Sequence, residues 1–498
     1  MSSPSGRLFG RVLAGCLLLQ LAWVLALPTF RGSDEFDHVV KADATSRGQL
    51  TGSGPATDGR GELMRVRGDV ARALGPMCAS YRYTGPDNCR SVRRFADGTV
   101  EIASAASAYN PAYYLVAGVV ARPFPGAAAD YAMRAVTALL SALLLAWSVV
   151  VTRRWARGAW PALALVVSAT PVVVYSTTVA APNGVGMAGG LVMWSAALGL
   201  ATGRGRAPWP ALTVGAVAVA TTHTTGLLWV PLVLASAALL RPRAWWRGQL
   251  RENRRAVMTS AAVVSGALAL SAAWVRLAGT NALAPPQADL PPLRPGDLPV
   301  QVLAWVLQTV AAFPLRNEYA PVVVYVMWVL AFAGLLVLGL RAGGTRGRLV
   351  IGLLASLWLG VAVVLTVVSY ASEPFAWQGR YAVPLALGLT TVAGWCLDRS
   401  GRRPTAPVAL VVLVLTGVSQ AACVAQVAAR EADLGLSTTF ADVVPGPAYL
   451  VAGLLGVLAA AGFVLVVRAW PTTPRNGEPD EARPALGSPG AAESAKRT

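Results

Sequence analysis

Apolar runs of roughly twenty residues recur along most of this chain, and alternate connections between them carry clusters of arginine. Runs of that length cross a hydrocarbon core of about 30 Å as helices, which satisfy their own backbone hydrogen bonds where no water is present. The clusters are Arg153, Arg154 and Arg157; Arg204 and Arg206; Arg241 to Arg255; Arg341, Arg346 and Arg348; and Arg399, Arg402 and Arg403. With 55% hydrophobic and 13% charged residues over 498 positions, the chain is too apolar for a soluble protein. Its net charge of +18 would suit nucleic acid if the arginines formed one patch. Spread over alternate loops, they report topology instead, as the positive-inside rule requires.

The expected fold is an all-α polytopic integral membrane protein with about twelve transmembrane helices, both termini cytoplasmic, in a plasma membrane. Residues 1–27 form the cytoplasmic N terminus and first span, 28–131 an extracytoplasmic loop with interfacial helices, and 132–275 spans two to seven. Residues 276–319 form a second extracytoplasmic loop, 320–468 spans eight to twelve, and 469–498 a disordered cytoplasmic tail rich in Pro, Gly, Glu and Ala. Pro208 to Leu240 is short for two crossings, yet arginines flank both ends, so it reads as a hairpin of two short helices turning at Thr221 to Thr225, with His223 at the tip. Arg7 and Arg11 before the first run also fit a signal peptide, but no small-x-small cleavage site follows Ala26.

Cys78 and Cys89 fall in the first outer loop, where thiols oxidise, and a disulfide between them would contribute about 2 to 3 kcal/mol. Cys16, Cys396 and Cys423 lie within spans and read as small apolar residues. No Cys or His cluster has zinc-site spacing, so no metal ligands are assigned.

Directly after the first span stands Ser33-Asp34-Glu35-Phe36-Asp37-His38-Val39-Val40. Ser33 could cap a helix whose Phe36, Val39 and Val40 lie on the membrane, with Asp34 and His38 sharing a face. Acids in a first turn suit the positive end of a helix dipole. A carboxylate held at the membrane surface could equally act as general base toward a hydroxyl.

At several ordered points the chain resembles the domain of unknown function 2142 family, which is similar to the GT-C superfamily of membrane glycosyltransferases. Asp34-Glu35-Phe36-Asp37-His38 resembles its D-E-P-x-H signature, and Asn110-Pro111-Ala112-Tyr113-Tyr114 its N-P-P-x-Y-Y segment. Arg134 with Ser141 resembles a helix start, and Thr170-Pro171 through Asn183-Gly184 a span and turn. Gln378-Gly379-Arg380-Tyr381 with Pro384 resembles Q-G-R-Y-x-x-P. Phe36 and Ala112 stand where the family has proline, and Ala181-Pro182-Asn183-Gly184 is a shifted form of its N-P-D-G.

The resemblance implies a glycosyltransferase working on the outer face, with a polyprenyl-phosphate sugar as donor and an envelope glycan, lipid or protein as acceptor. It implies Asp34 as catalytic base, with Glu35 the alternative carboxylate. A departing phosphate gathers negative charge, and Arg380, at the outer mouth of a span, suits it through bidentate hydrogen bonding. It could also snorkel to the interface. His38, His223, Asn110, Tyr113, Tyr381 and Gln378 complete the candidate substrate- and phosphate-binding set, and Tyr114 and Trp377 could join a sugar platform. Aromatics at this depth also form the interfacial belt, and a lone His223 among threonines also suits a plain turn. Whether a divalent metal assists is left open, as are the sugar and the acceptor. The expected partners are membrane lipid and these substrates, not nucleic acid.

Two other classes compete: a transporter or flippase for an envelope intermediate, and a non-catalytic membrane assembly protein. No charged residue lies in the middle of an assigned span, as ion-coupled carriers usually need, and no phosphate-binding loop is present.

Overall fold

The computed structural model describes residues 4–56, 61–80, 98–203, 205–280, 290–314, 319–372, 377–436, 440–441 and 444–469. Cys89, the side chain of Cys78 and the tail 470–498 lie outside the described residues, and the expected disulfide with them.

Among the described residues, nine helices are long and apolar enough to cross a membrane. They are α1 (Pro4–Ala26), α5 (Ala127–Trp155), α8 (Asn183–Thr202), α12 (Arg254–Leu277), α14 (Val322–Ala342), α15 (Thr345–Ser369), α16 (Val383–Arg399, entered through a 3-10 turn at Gly379–Ala382), α17 (Ala406–Asp433) and α18 (Ala448–Ala469). The remaining expected crossings are shorter. One is broken into α6 (Trp160–Ser168) and α7 (Pro171–Ser176). Pro171 lacks an N–H and holds Thr170 extended, so α6 stops and α7 starts afresh under a Thr170 cap. The others are α9 (Trp209–Thr222) and α10 (Gly226–Leu239), joined at His223 to Thr225. Each rises about 21 Å over its 14 residues, less than a full crossing, so the His223 turn is recessed.

The bundle is built around α8, whose apolar window is wholly buried. Its surface is small, and that lets neighbours approach: a Cβ on Gly215 of α9 would come within 2.7 Å of the Gly189 carbonyl oxygen. α5 and α16 pack on other sides of α8, while α1 lies along α18 and α5. On the arginine-rich face, α11 (Arg243–Glu252) turns 108° from α10.

The described residues between α1 and α5 fold into a small domain packed on the bundle. Glu62–Arg67 (β1) and Thr99–Ser104 (β2) pair antiparallel, Glu62 opposite Ser104 and Arg67 opposite Thr99. Alternation puts Met64, Val66, Val100 and Ile102 on one buried face. This hairpin covers α2 (Glu35–Ser46), and α3 (Gly68–Ser80) and α4 (Pro111–Ala121) complete the domain.

Every residue of α2 is buried, so it does not lie on the membrane surface as its apolar residues suggested. Its charges are satisfied inside the protein. Lys41 donates to the carbonyls of Leu50 and, at 2.5 Å, of Ser107, and burial lowers its ammonium to about 8. Asp43 binds Arg47 at 2.6 Å and Arg67 at 2.9 Å, and Asp37 accepts the Ala105 N–H at 2.8 Å. A buried charge is tolerable only when matched in this way.

Candidate functional site

The site begins with a left-handed residue. Asp34 has φ 57° and Phe30 φ 61°, conformations that non-glycine side chains adopt rarely. Asp34 thereby ends the loop from α1 and occupies the N-cap position of α2, though its side chain caps nothing. Ser33, expected to cap, instead faces Tyr175: its backbone N–H donates to the phenol oxygen at 2.9 Å, and the two hydroxyls lie 3.3 Å apart.

Adjacent carboxylates go opposite ways. Asp34 pairs with Arg380 across 346 positions of sequence, little exposed but not sealed, at 16% and 7% side-chain exposure. Glu35 points into the protein, where Arg134 Nε donates to its Oε1 at 2.8 Å and Nη2 to its Oε2 at 2.6 Å. Gly32 N–H and Ala180 N–H complete its shell at 2.7 and 2.8 Å. Arg134 also donates to the Leu27 and Pro28 carbonyls at 2.9 and 2.7 Å, and Asp130 lies 3.3 Å from its Nε. Both members of the Glu35–Arg134 pair are fully buried. Three residues before Asp34, Arg31 Nε meets Glu431 of α17 at 2.7 Å.

Arg380 is set by its turn. Trp305 and Gln308 belong to α13 (Asp297–Val310), a helix not foreseen from sequence. Gln308 accepts the Gly379 N–H at 2.8 Å, and a Cβ on Gly379 would stand 2.1 Å from the Trp305 carbonyl oxygen, so only glycine lets the turn seat there. Trp305 in turn donates to the Trp377 carbonyl at 3.2 Å.

Aromatic rings surround the ion pair in a continuous chain. Tyr114 stacks on His38 at 5.8 Å, His38 meets Tyr109 at 5.9 Å, Tyr109 meets His223 at 6.0 Å, and His223 meets Tyr381 at 4.9 Å. Trp377 continues from Tyr381 at 5.6 Å, and the Arg380 guanidinium lies 5.6 Å from the Tyr381 ring centroid. Gln378 donates to the Tyr381 hydroxyl at 2.7 Å. A small cleft lined by Asn183, Met187, Thr222, His223, Arg380 and Tyr381 adjoins the Arg380 side of the pair.

Both histidines are held neutral. Burial lowers His38 to about 4 against the opposing pull of Asp34, and burial together with Arg380 lowers His223 to about 4. His223 Nδ1 accepts the Thr225 N–H at 3.2 Å, so its neutral ring carries the proton on Nε2. His38 Nδ1 shares a 2.7 Å hydrogen bond with the Tyr114 hydroxyl.

Of the residues singled out from sequence, the fold therefore gathers Asp34, His38, His223, Gln378, Arg380 and Tyr381. Others lie apart. Asn110 caps α4 by accepting the Ala112 N–H at 3.0 Å, and Tyr113 is bonded to Thr137 of α5 at 2.6 Å. Glu35 is enclosed with Arg134. Among the described residues, no group of three His, Cys, Asp or Glu side chains could hold a metal ion.

A family model described as "Predicted membrane protein (DUF2142)" matches residues 17–389. The chain belongs to this family. No curated protein and no solved structure matches it. The DUF2142 segment contains the loop with Asp34, the buried Glu35–Arg134 pair and the turn bearing Arg380, whereas Glu431 lies beyond it. Membership establishes a membrane-integral protein and carries no activity with it.

Tyr109, Tyr175 and Glu431 were not marked by the sequence. Tyr109 stands next to the Asn110-Pro111 motif, the one local signal that could have drawn attention to it.

Proposed function

We propose that the protein is a GT-C-like glycosyltransferase of the plasma membrane that moves a sugar from a polyprenyl-phosphate donor to an envelope acceptor on the outer face. The observation that supports this most is the Asp34–Arg380 pair, a carboxylate and a guanidinium brought together from opposite ends of the family segment beside a cleft lined by His223, Tyr381 and Arg380 itself. In this reading the phosphate of the donor draws Arg380 toward itself and releases Asp34 to the acceptor hydroxyl. The acceptor oxygen attacks the anomeric carbon, its proton passes to Asp34, the bond to the phosphate oxygen breaks, and the electron pair leaves on the phosphate. One displacement inverts the anomeric carbon. Arg380 stabilises the leaving charge in a site from which water is largely excluded.

Neutral His38 and His223 offer hydrogen bonds without adding charge, and Tyr381 and Trp377 offer flat apolar faces to a sugar ring. Asn110 and Tyr113 serve the packing of α4, and Glu35 holds the loop. Labelled sugar transfer from membrane polyprenyl-phosphate donors tests the reading, with Asp34→Asn and Arg380→Ala compared at matched expression. Loss in both folded variants upholds it. Transfer that survives Asp34→Asn removes Asp34 as the base, whereas no transfer by the wild type turns attention to a non-catalytic assembly role.

A further inference from the structure

α16 carries a second cationic site at its other end. Its 17 residues rise about 25 Å, so Arg399 emerges far from Arg380, on the arginine-rich face of the bundle. There, two guanidiniums stand against one indole: Arg241 lies 5.7 Å and Arg399 5.9 Å from the Trp395 ring centroid. Arg241 also lies 4.8 Å from the ring of Trp245. Burial and the neighbouring charge of Arg157 lower Arg241. Arg346 and Arg399 line a cleft of about 490 Å³ together with Gly343, Gly344 and Ser400.

The groups are fixed in place. Arg241 Nε donates to the Ala201 carbonyl at 2.6 Å, Trp245 to Leu200 at 3.0 Å and Gln249 to Gly203 at 2.8 Å, together taking up the last carbonyls of α8. Asp398 turns its carboxylate to the Arg157 and Gly158 N–H groups, the closest at 2.6 Å, rather than to a guanidinium. Among the described residues, Arg157, Arg241, Arg346 and Arg399 form no ion pair with a carboxylate. A positive-inside bias asks only that arginines lie somewhere in these loops. It does not ask two of them to share an indole beside a third and a cleft, an arrangement whose repulsion Asp398, committed to two backbone N–H groups, offsets only in part. At the end of a membrane span, the anion at hand is lipid phosphate.

We propose that this cleft binds the phosphate headgroup of an anionic lipid, with Arg346 and Arg399 gripping the phosphate, Trp395 forming a wall and Arg241 adding charge through the shared indole. The test uses purified full-length protein in detergent, titrated with dioleoylphosphatidylglycerol, dioleoylphosphatidylcholine or inorganic phosphate while thermal unfolding is followed. Phosphatidylglycerol should raise the midpoint and phosphatidylcholine should not. Arg346→Gln combined with Arg399→Gln should weaken the lipid effect about tenfold or more. Arg251→Gln combined with Arg254→Gln, an equal loss of charge nearby, should leave it unchanged. Equal effects of the two lipids, a shift reproduced by inorganic phosphate alone, or an unaltered response in the cleft variant would each overturn the proposal. Native mass spectrometry of the wild type needs no variant to fold: preferential retention of phosphatidylglycerol supports the site, and indifferent retention of both lipids overturns it.

Discussion

Arg134 holds both oxygens of Glu35 at 2.8 and 2.6 Å, one residue after Asp34, whose own carboxylate turns the opposite way to Arg380. The two acids that stand together in sequence thus divide their tasks. Glu35 ties α5, the loop from α1 and the Ala180 turn into one unit, and Asp34 pairs with Arg380, which lines the cleft.

Breaking that buried pair from one side should be costly. Arg134→Met leaves Glu35 and Asp130 without their cation, and stability should fall by about 3 to 5 kcal/mol. Thermal unfolding in detergent checks this. Adding Glu35→Met should restore part of the loss, and a double variant no more stable than Arg134→Met would show that the pair is not the unit described.

Asp34 should behave in the reverse manner. Asparagine tolerates the left-handed conformation well and glycine adopts it freely, so Asp34→Asn and Asp34→Gly should unfold at or above the wild-type temperature while transfer is lost. A large drop in unfolding temperature for both would mean that the Arg380 pair holds the fold rather than serving the site.

The turn beneath Arg380 should be intolerant of one methyl group. Gly379→Ala places a carbon against the Trp305 carbonyl and must shift the turn, and a displacement of about 1 Å at a reacting group can cost about a hundredfold in rate. The loss of transfer should exceed the loss of stability. Unimpaired transfer in Gly379→Ala would show that the position of Arg380 is not critical.

The histidines give a pH signature. Each is lowered to about 4 in the fold against 6.5 in the open chain, so below pH 6.5 the unfolded state takes up protons that the folded state refuses. Their contribution to stability is complete above pH 6.5, declines between 6.5 and 4, and is level below 4. Unfolding temperatures measured across that range should fall more steeply for wild type than for His38→Gln, with a smaller difference for transfer, since both rings remain neutral from pH 5 upward.

Much of the bundle was legible because bilayer physics acts residue by residue. The apolar runs, the arginine alternation and the short hairpin carrying His223 can be read along the chain without knowing any contact. The small domain between α1 and α5 was not, because its strands are only six residues each and α2 looks amphipathic until the β1–β2 hairpin covers it. Asp34 and Arg380 could be marked separately through motifs, but their pairing spans 346 positions and exists only in three dimensions. Tyr109 and Glu431 are ordinary residues in sequence and acquire meaning only from what they touch.

The Arg31–Glu431 bond joins the loop that bears Asp34 to a residue made 400 positions later. During synthesis the segment bearing Asp34 leaves the ribosome early, yet its Arg31 side keeps a missing anchor until the last turn of α17 has been made and inserted. A half-built chain therefore carries the residues around Asp34 before the contact that ties Arg31 to α17 can form.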